Sequence, residues 1–316
     1  MSVRAITGAV CVLALFATPA ANATPWLTRW FPFEIVADWI HVPIVVAGAP
    51  TTAMFDTGAN VQVIDRAFAE ANGIKISSVS RVEVQGAFSK KKLPLAVRVP
   101  IELFGAPLTL RSVPVADTGD AKIVIGTGIL SSFVLQIDYA NSRIRFASFD
   151  ALDLKDTANV EMRSAPGAGL PAVRATLDGE KIWLMLDSGF SGPLLLSRRF
   201  VADRQWEQDS GGMSFDAHGT LSAMDRYRVP LMQLGPFDLR GVKASVRRDG
   251  PERLGGLSSV RVSGILGAEV LRQFLVTLDL KHGKLHLAPS KPVAKDSWES
   301  TSTPDDSETP SEQPEN

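Results

Sequence analysis

Short runs rich in Val, Ile, Leu and Thr, cut by Gly, Pro and Asp-Gly, fill the chain from Thr24 to Pro289. Apolar, β-branched runs of this length between turn residues predict strands. Examples are His41 to Val46, Val97 to Leu103, Ile137 to Phe146 and Leu275 to Leu287. Apolar residues at helical spacing occur only briefly, at Asp65 to Asn72, Ser197 to Trp206 and Ala268 to Phe274. The pattern therefore predicts an all-β body with a few short helices.

The pattern also repeats. Ala53-Met54-Phe55-Asp56-Thr57-Gly58 returns 131 residues later as Leu184-Met185-Leu186-Asp187-Ser188-Gly189. Val99-Pro100-Ile101 returns as Val229-Pro230-Leu231, and Gly105 as Gly235, both at an offset of 130. Ile125-Gly126 returns as Leu266-Gly267, Asp138 as Asp279, and Ile144-Arg145-Phe146 as Leu285-His286-Leu287, all at 141. The order of landmarks is kept, and the offsets change only between them. One period of this length suggests two duplicated lobes, since solenoid repeats run roughly 20 to 50 residues. The boundary falls in the Pro- and Gly-containing stretch from Phe149 to Gly169. The expected organisation is residues 24–158 as lobe one and 159–289 as lobe two.

Composition changes this picture mainly at the two ends. Met1 to Ala23 reads as a secretory signal peptide: Arg4, an apolar run from Ala9 to Phe16, Pro19, then Ala21-Asn22-Ala23 as a small-x-small cleavage pattern. The run is short for a membrane span of roughly 20 residues, so a cleaved, exported protein of the bacterial periplasm, with no remaining transmembrane span, is expected. The single cysteine, Cys11, lies in that segment. The mature chain would then have no disulfide, thiol nucleophile or Cys-ligated metal. Residues 290–316 carry seven acids against two lysines and are rich in Ser, Thr and Pro, which predicts a disordered acidic tail. With that tail and Arg4 set aside, residues 24 to 289 carry +3, within a chain of net charge -1. Nucleic-acid binders usually show a strong basic excess, so that class is not supported.

Each repeat places an aspartate straight after an apolar strand and before a small hydroxyl residue and a glycine. Gly58 and Gly189 let the backbone approach closely or take a positive φ. The hydroxyls of Thr57 and Ser188 can bond across a two-fold interface and lock the two turns together. Two carboxylates about 3 Å apart cannot both ionise easily, so one keeps its proton. The charged partner can then deprotonate a water, while the protonated one donates to a carbonyl oxygen. A third such tripeptide, Asp117-Thr118-Gly119, has no counterpart in the other repeat and lies only nine residues before Gly126. It reads as a loop.

At this point the chain resembles the retropepsin-like aspartic proteases, in a bacterial exported form with two lobes fused in tandem. The resemblance is carried by Phe55-Asp56-Thr57-Gly58-Ala59-Asn60-Val61 and Leu186-Asp187-Ser188-Gly189-Phe190-Ser191-Gly192. The later elements Ile123-Val124-Ile125-Gly126 and Gly264-Ile265-Leu266-Gly267 carry it too, each before a short helix, near Ile129 to Phe133 and Ala268 to Phe274. It implies two pepsin/retropepsin-like barrel lobes related by a pseudo-two-fold axis, with a cleft between them. It implies Asp56 and Asp187 as the catalytic pair, Thr57 and Ser188 as interlocking hydroxyls, and Gly58 and Gly189 as the turns. It further implies flap hairpins around Val84 to Lys91 and Phe215 to Asp225, with Gly86, His218 and Gly219 near the tips. The partner would be an extended peptide or protein substrate, bound by strand addition, with no cofactor and no metal. Both acids lie in one chain, so the site should assemble in a monomer. The chain departs from the family at Phe190, where a small residue is usual. Ala59 and Phe190 both lack a hydroxyl that would stabilise an ionised carboxylate, which predicts a less acid pH optimum.

His282 and His286 have helical metal-site spacing but fall in a predicted strand pair, so separate structural roles are expected. Trp26, Trp30, Phe31, Phe33 and Trp39 form an aromatic N-terminal segment expected to pack across the lobes. Three functions remain open from sequence: an active endopeptidase, a peptide-binding pseudoprotease silenced by Phe190, and a structural module reusing the fold.

Overall fold

The computed structural model describes residues 24–85, 89–164, 169–215, 220–248 and 260–290. The predicted flap-tip residues Gly86, His218 and Gly219, the N-terminal segment and the acidic tail lie outside them.

Two six-stranded rings form the bodies of the two lobes. In the first, Trp39–Val46 pairs with Ala49–Phe55. That strand runs parallel to Ile123–Ile125, which pairs with Val63–Asp65. Ala106–Ala116 and Lys90–Leu103 follow, and the last strand pairs back to Trp39–Val46 to close the barrel. The second ring repeats every step with Ala172–Leu177, Glu180–Asp187, Gly264–Gly267, Leu194–Leu196, Phe237–Arg247 and Leu221–Leu234. Alternation drives the closure. Ile40, Val42, Ile44 and Val46 point inward from one strand of the first barrel, and Val173, Ala175 and Leu177 from the matching strand of the second, all essentially buried. The tight turns match as well. Ala47-Gly48 and Asp178-Gly179 both take two successive positive φ values, 51° and 84°, and 49° and 83°. That geometry fits the right-handed strand twist, which makes it a favoured hairpin turn.

A shared six-stranded sheet joins the lobes. Its middle is the antiparallel pair Val134–Asp138 and Phe274–Asp279. Arg143–Ala147 and Phe31–Pro32 extend it on one side, and Lys284–Pro289 and Val160–Arg163 on the other. Gln136 sits opposite Thr277, its own counterpart at the repeat offset of 141. A residue can face its own counterpart only on the pseudo-two-fold axis. There Gln136 Nε2 donates to Thr277 Oγ1 at 2.8 Å, and Arg145 Nε donates to Gln136 Oε1 at 2.6 Å. Without these bonds the buried amide would be costly.

Several expectations change. Ile137 to Phe146 is not one strand. A 3-10 turn at Tyr139–Asn141 splits it, because the Asp138 carboxylate accepts from the Asn141 N–H and side-chain amide and Ser142 turns left-handed. Leu275 to Leu287 splits likewise at Gly283 (φ 65°), with Asp279 capping the His282 N–H. The helices shrink to Arg66–Ala71, Arg198–Val201 and Ala268–Leu271, and the one expected near Ile129 to Phe133 lies earlier, at Thr127–Leu130. Beyond them the chain passes through turns into the next strands, which begin at Glu207 and Phe274 after the last two predicted helices. The aromatic N-terminal segment packs mostly within its own lobe. Phe31 meets Phe104 at 4.3 Å between ring centroids, and Trp30 lies under Arg143 and Arg145. Only Trp39 of that group is hydrogen-bonded to the second lobe, through Gly189.

Candidate active site

The strands Ala49–Phe55 and Glu180–Asp187 end at the same place on opposite sides of the pseudo-axis. The chain turns there because a second strand of each barrel runs alongside. Asp56 N–H donates to Ile125 O at 3.0 Å, and Asp187 lies in register with Gly267. Gly126 and Gly267 are needed at this point for space. A Cβ on Gly126 would press on the Ala59 and Val61 carbonyl oxygens, and one on Gly267 would press on the Gly192 oxygen and the Phe190 ring.

The two turns lock reciprocally. Thr57 Oγ1 donates to Leu186 O at 2.9 Å and accepts from Ser188 N–H at 3.0 Å. Ser188 Oγ donates to Phe55 O at 3.1 Å and accepts from Thr57 N–H at 3.0 Å. Both hydroxyls are buried, so every donor and acceptor here depends on the other lobe. Ser188→Ala leaves the Thr57 N–H and Phe55 carbonyl without partners. At about 1–3 kcal/mol for each orphaned group, it should cost roughly 2–5 kcal/mol in chemical unfolding, whereas Thr57→Ser should cost less than about 1.5 kcal/mol. A Ser188→Ala protein as stable as wild type would mean that the lock contributes nothing.

This lock brings Asp56 and Asp187 together. Their carboxyls lie side by side, each perturbing the other's protonation. Asp56 Oδ1 accepts from Gly58 N–H at 2.7 Å. Asp187 Oδ1 accepts from Gly189 N–H at 2.8 Å and Phe190 N–H at 3.0 Å. Each glycine also lies against the other lobe's acid: a Cβ on Gly189 would fall 2.6 Å from Asp56 Cγ, and one on Gly58 would overlap the Asp187 carboxyl. Neither glycine has a positive φ. Of the two uses foreseen for them, only close approach applies.

Burial pushes the Asp187 carboxyl well above the usual carboxylate range, and the Asp56 charge beside it adds to the shift. Burial raises Asp56 as well, opposed by hydrogen bonds from the Gly58 N–H, Asp187 and the Gly189 N–H. The pair therefore holds a proton at pH values where a free aspartate is ionised.

Phe190 does not stand alone as a misfit. Its ring joins the apolar cluster of Met185, Leu195, Met224 and Ile265. It also lies over Gly192, where a Cβ would sit 2.8 Å from Cζ. The first repeat has Ala59 and Val61 at these two positions. The second exchanges them for a large residue and a glycine, so volume is conserved within the loop.

The third tripeptide is a turn: Asp117 is solvent-exposed beside Arg66, the Thr118 N–H donates to Asp65 Oδ2, and Gly119 has φ 65°. His282 binds Asp279 and His286 binds the Thr157 carbonyl, so the two histidines serve different neighbours. Trp39, named in the sequence only as one of an aromatic segment expected to pack across the lobes, does so by donating its indole N–H to Gly189 O at 2.8 Å; the Asp38–Arg272 pair beside it was not foreseen. The repeat held a signal for the first: the position matching Trp39 in copy two is Leu170.

Comparison with curated proteins gives no match. The aspartyl protease family model matches twice, over residues 42–132 and 173–270, once in each lobe. Those two stretches cover more than half of the chain and contain both acid-bearing turns, so this chain belongs to the retropepsin-like aspartyl protease family.

Proposed function

We propose that this protein is an endopeptidase that hydrolyses peptide bonds with a water activated between Asp56 and Asp187. The observation that carries the reading is the reciprocal Thr57–Ser188 lock, which holds two buried carboxyls side by side at the pseudo-two-fold axis. The ionised member of the pair takes a proton from the water as its oxygen attacks the peptide carbonyl. The protonated member gives its proton to the carbonyl oxygen. The tetrahedral diol then collapses: one hydroxyl proton returns to a carboxylate, the other carboxyl protonates the leaving nitrogen, and the C–N bond breaks. The pair ends with one proton, as it began.

The substrate is an extended peptide. Each lobe carries a long two-stranded arm, Ile76–Gln85 with Lys90–Leu103 and Glu207–Phe215 with Leu221–Leu234. The outer strand of each arm lies at the edge of its sheet, a geometry suited to backbone pairing. The protein works as an exported monomer, each lobe supplying one acid. The packing of Phe190 into its own lobe favours an active centre over a silenced one.

The test is digestion of an unfolded protein by purified material across pH 3 to 8, with size-exclusion of the active species. Expected are new amino termini from internal cleavage and activity eluting as monomer. No cleavage at any pH, with peptide binding retained, would leave a binding module instead. Activity confined to a dimer fraction would refute single-chain assembly.

The rate should be bell-shaped in pH. It falls in acid as both carboxyls protonate, and in base as the shared proton leaves. Burial raises both groups, so the optimum should lie above the ordinary aspartate pKa of about 3.9. A profile peaking near about pH 3 would contradict the desolvated pair.

A further inference from the structure

We propose that Trp39 is a positioning residue for the second acid: its indole N–H holds the Gly189–Phe190 peptide so that the Phe190 N–H bears on Asp187. The inference rests on the hydrolytic reading above and adds a residue from outside both acid-bearing turns.

Three observations converge on one peptide group. Trp39 Nε1 donates to Gly189 O at 2.8 Å. The N–H of that same peptide belongs to Phe190 and donates to Asp187 Oδ1 at 3.0 Å. The tip of the hairpin that carries Trp39 is fastened to the second lobe. Asp38, in a turn with φ 72°, accepts from Arg272 through Oδ1 at 3.1 Å and through its backbone oxygen. Arg272 follows the short helix that begins just after Gly267, where the Phe190 ring packs. A strand of the first lobe thus reaches across and bonds to the turn that presents the second lobe's acid.

A donor on a carbonyl oxygen polarises the peptide and strengthens its N–H as a donor. A stronger hydrogen bond to a carboxylate favours its ionised form. Trp39 therefore opposes the upward push that burial and Asp56 exert on Asp187. The effect is one-sided, because Leu170 holds the matching position in the second repeat and its side chain has no N–H. The charged groups around this path are few. Asp56 faces Asp187 directly. Arg272 and Asp38 are paired to each other at the hairpin tip. His41, two residues along the strand from Trp39, has Asp120 and Glu34 as its charged neighbours. None of these is altered by Trp39→Phe.

The experiment is a carboxyl titration by ¹³C NMR of aspartate-labelled protein, with Asp187→Asn used to assign the pair. It requires no activity, so it separates this inference from the endopeptidase reading. In Trp39→Phe the second ionisation of the pair, in which Asp187 loses its proton beside the charged Asp56, should move up by about 0.5 to 1 pH unit. The matched control is Trp206→Phe, which deletes an equivalent indole bond, to Asp178 at 3.1 Å, in another part of the second lobe. In that variant the Asp56–Asp187 pair should titrate as in wild type, any change being confined to Asp178, which loses its donor. Where peptide cleavage is measurable, the base limb of kcat/KM should shift in the same direction, with kcat changed more than KM. Superimposable titrations of Trp39→Phe and wild type would overturn the proposal, as would equal shifts in both indole variants. A shift in a protein that cleaves nothing would uphold it while refuting the endopeptidase. Should Trp39→Phe fail to fold, hydrogen exchange of the Trp39 indole proton in wild type decides: strong protection is expected, and exchange at the solvent rate refutes the bond.

Discussion

Peptide hydrolysis falls about 10²- to 10⁴-fold when Asp56 or Asp187 is replaced by Asn, the range over which positioned acid–base groups contribute. The substitution is nearly isosteric. An Asn carbonyl at position 56 can still accept from the Gly58 N–H, and one at 187 from the Gly189 and Phe190 N–H groups. On the proposed mechanism, what is lost is the charge that draws the proton from water at one position and the proton given to the carbonyl oxygen at the other. Stability should move the other way. Both carboxyls have folded-state pKa values raised above the ordinary value of about 3.9. An acid raised in the fold contributes stability that is complete below its unfolded pKa and is lost as pH rises through the folded one. Asn removes that loss. The Asp187→Asn protein should therefore melt above wild type at pH 7, and the gain should vanish below about pH 3.9. Thermal melts at the two pH values, beside a cleavage assay, check both halves. Retained activity in either variant would remove the paired-acid mechanism; a variant less stable at pH 7 would mean the acids are not strained by burial.

The second large effect is steric. Gly58→Ala should lose activity almost as completely as Asp56→Asn, because its Cβ would occupy the space of the Asp187 carboxyl. Gly189→Ala should do the same through Asp56. Overpacking of this kind costs about 1–3 kcal/mol, and relief requires the two acids to part. Gly48 is the informative contrast. It has open space around its Cα but φ 84°, so Gly48→Ala should cost about 1 kcal/mol of stability and leave hydrolysis intact. Denaturant unfolding and steady-state cleavage on the three variants separate space from backbone strain. Activity within twofold of wild type in Gly58→Ala would mean that the acids have room the structure does not give them.

Much of the architecture was legible in the residues. Alternating apolar strands and two ordered sets of landmarks foretold an all-β chain of two lobes, because strand periodicity and turn chemistry are local properties. The Asp-Thr-Gly and Asp-Ser-Gly turns were legible for the same reason, and the absence of a repeat partner separated Asp117 from them. Helix ends were not. Ser197 to Trp206 reads as helical in isolation, but Glu207 onward is taken into the outer strand of the arm, and the helix closes at Val201. Tertiary pairing outweighs a weak local preference. The N-terminal aromatics were read as one group, yet their partners differ: Phe31 stacks on Phe104, Trp30 on two arginines, and Trp39 on the other lobe.

By itself the sequence determined the strand pattern, the duplication, and which side chains could act as acids and locking hydroxyls, since these depend on residue type and spacing along the chain. Only the tertiary structure decided that Gln136 meets its own counterpart on the axis, that each turn glycine guards the opposite acid, and that Trp39 bonds to the second acid-bearing turn. Each of those facts is a distance between residues well over a hundred positions apart. Such distances are set by how two barrels close and pair their strands across the shared sheet, and no local preference in the chain encodes them.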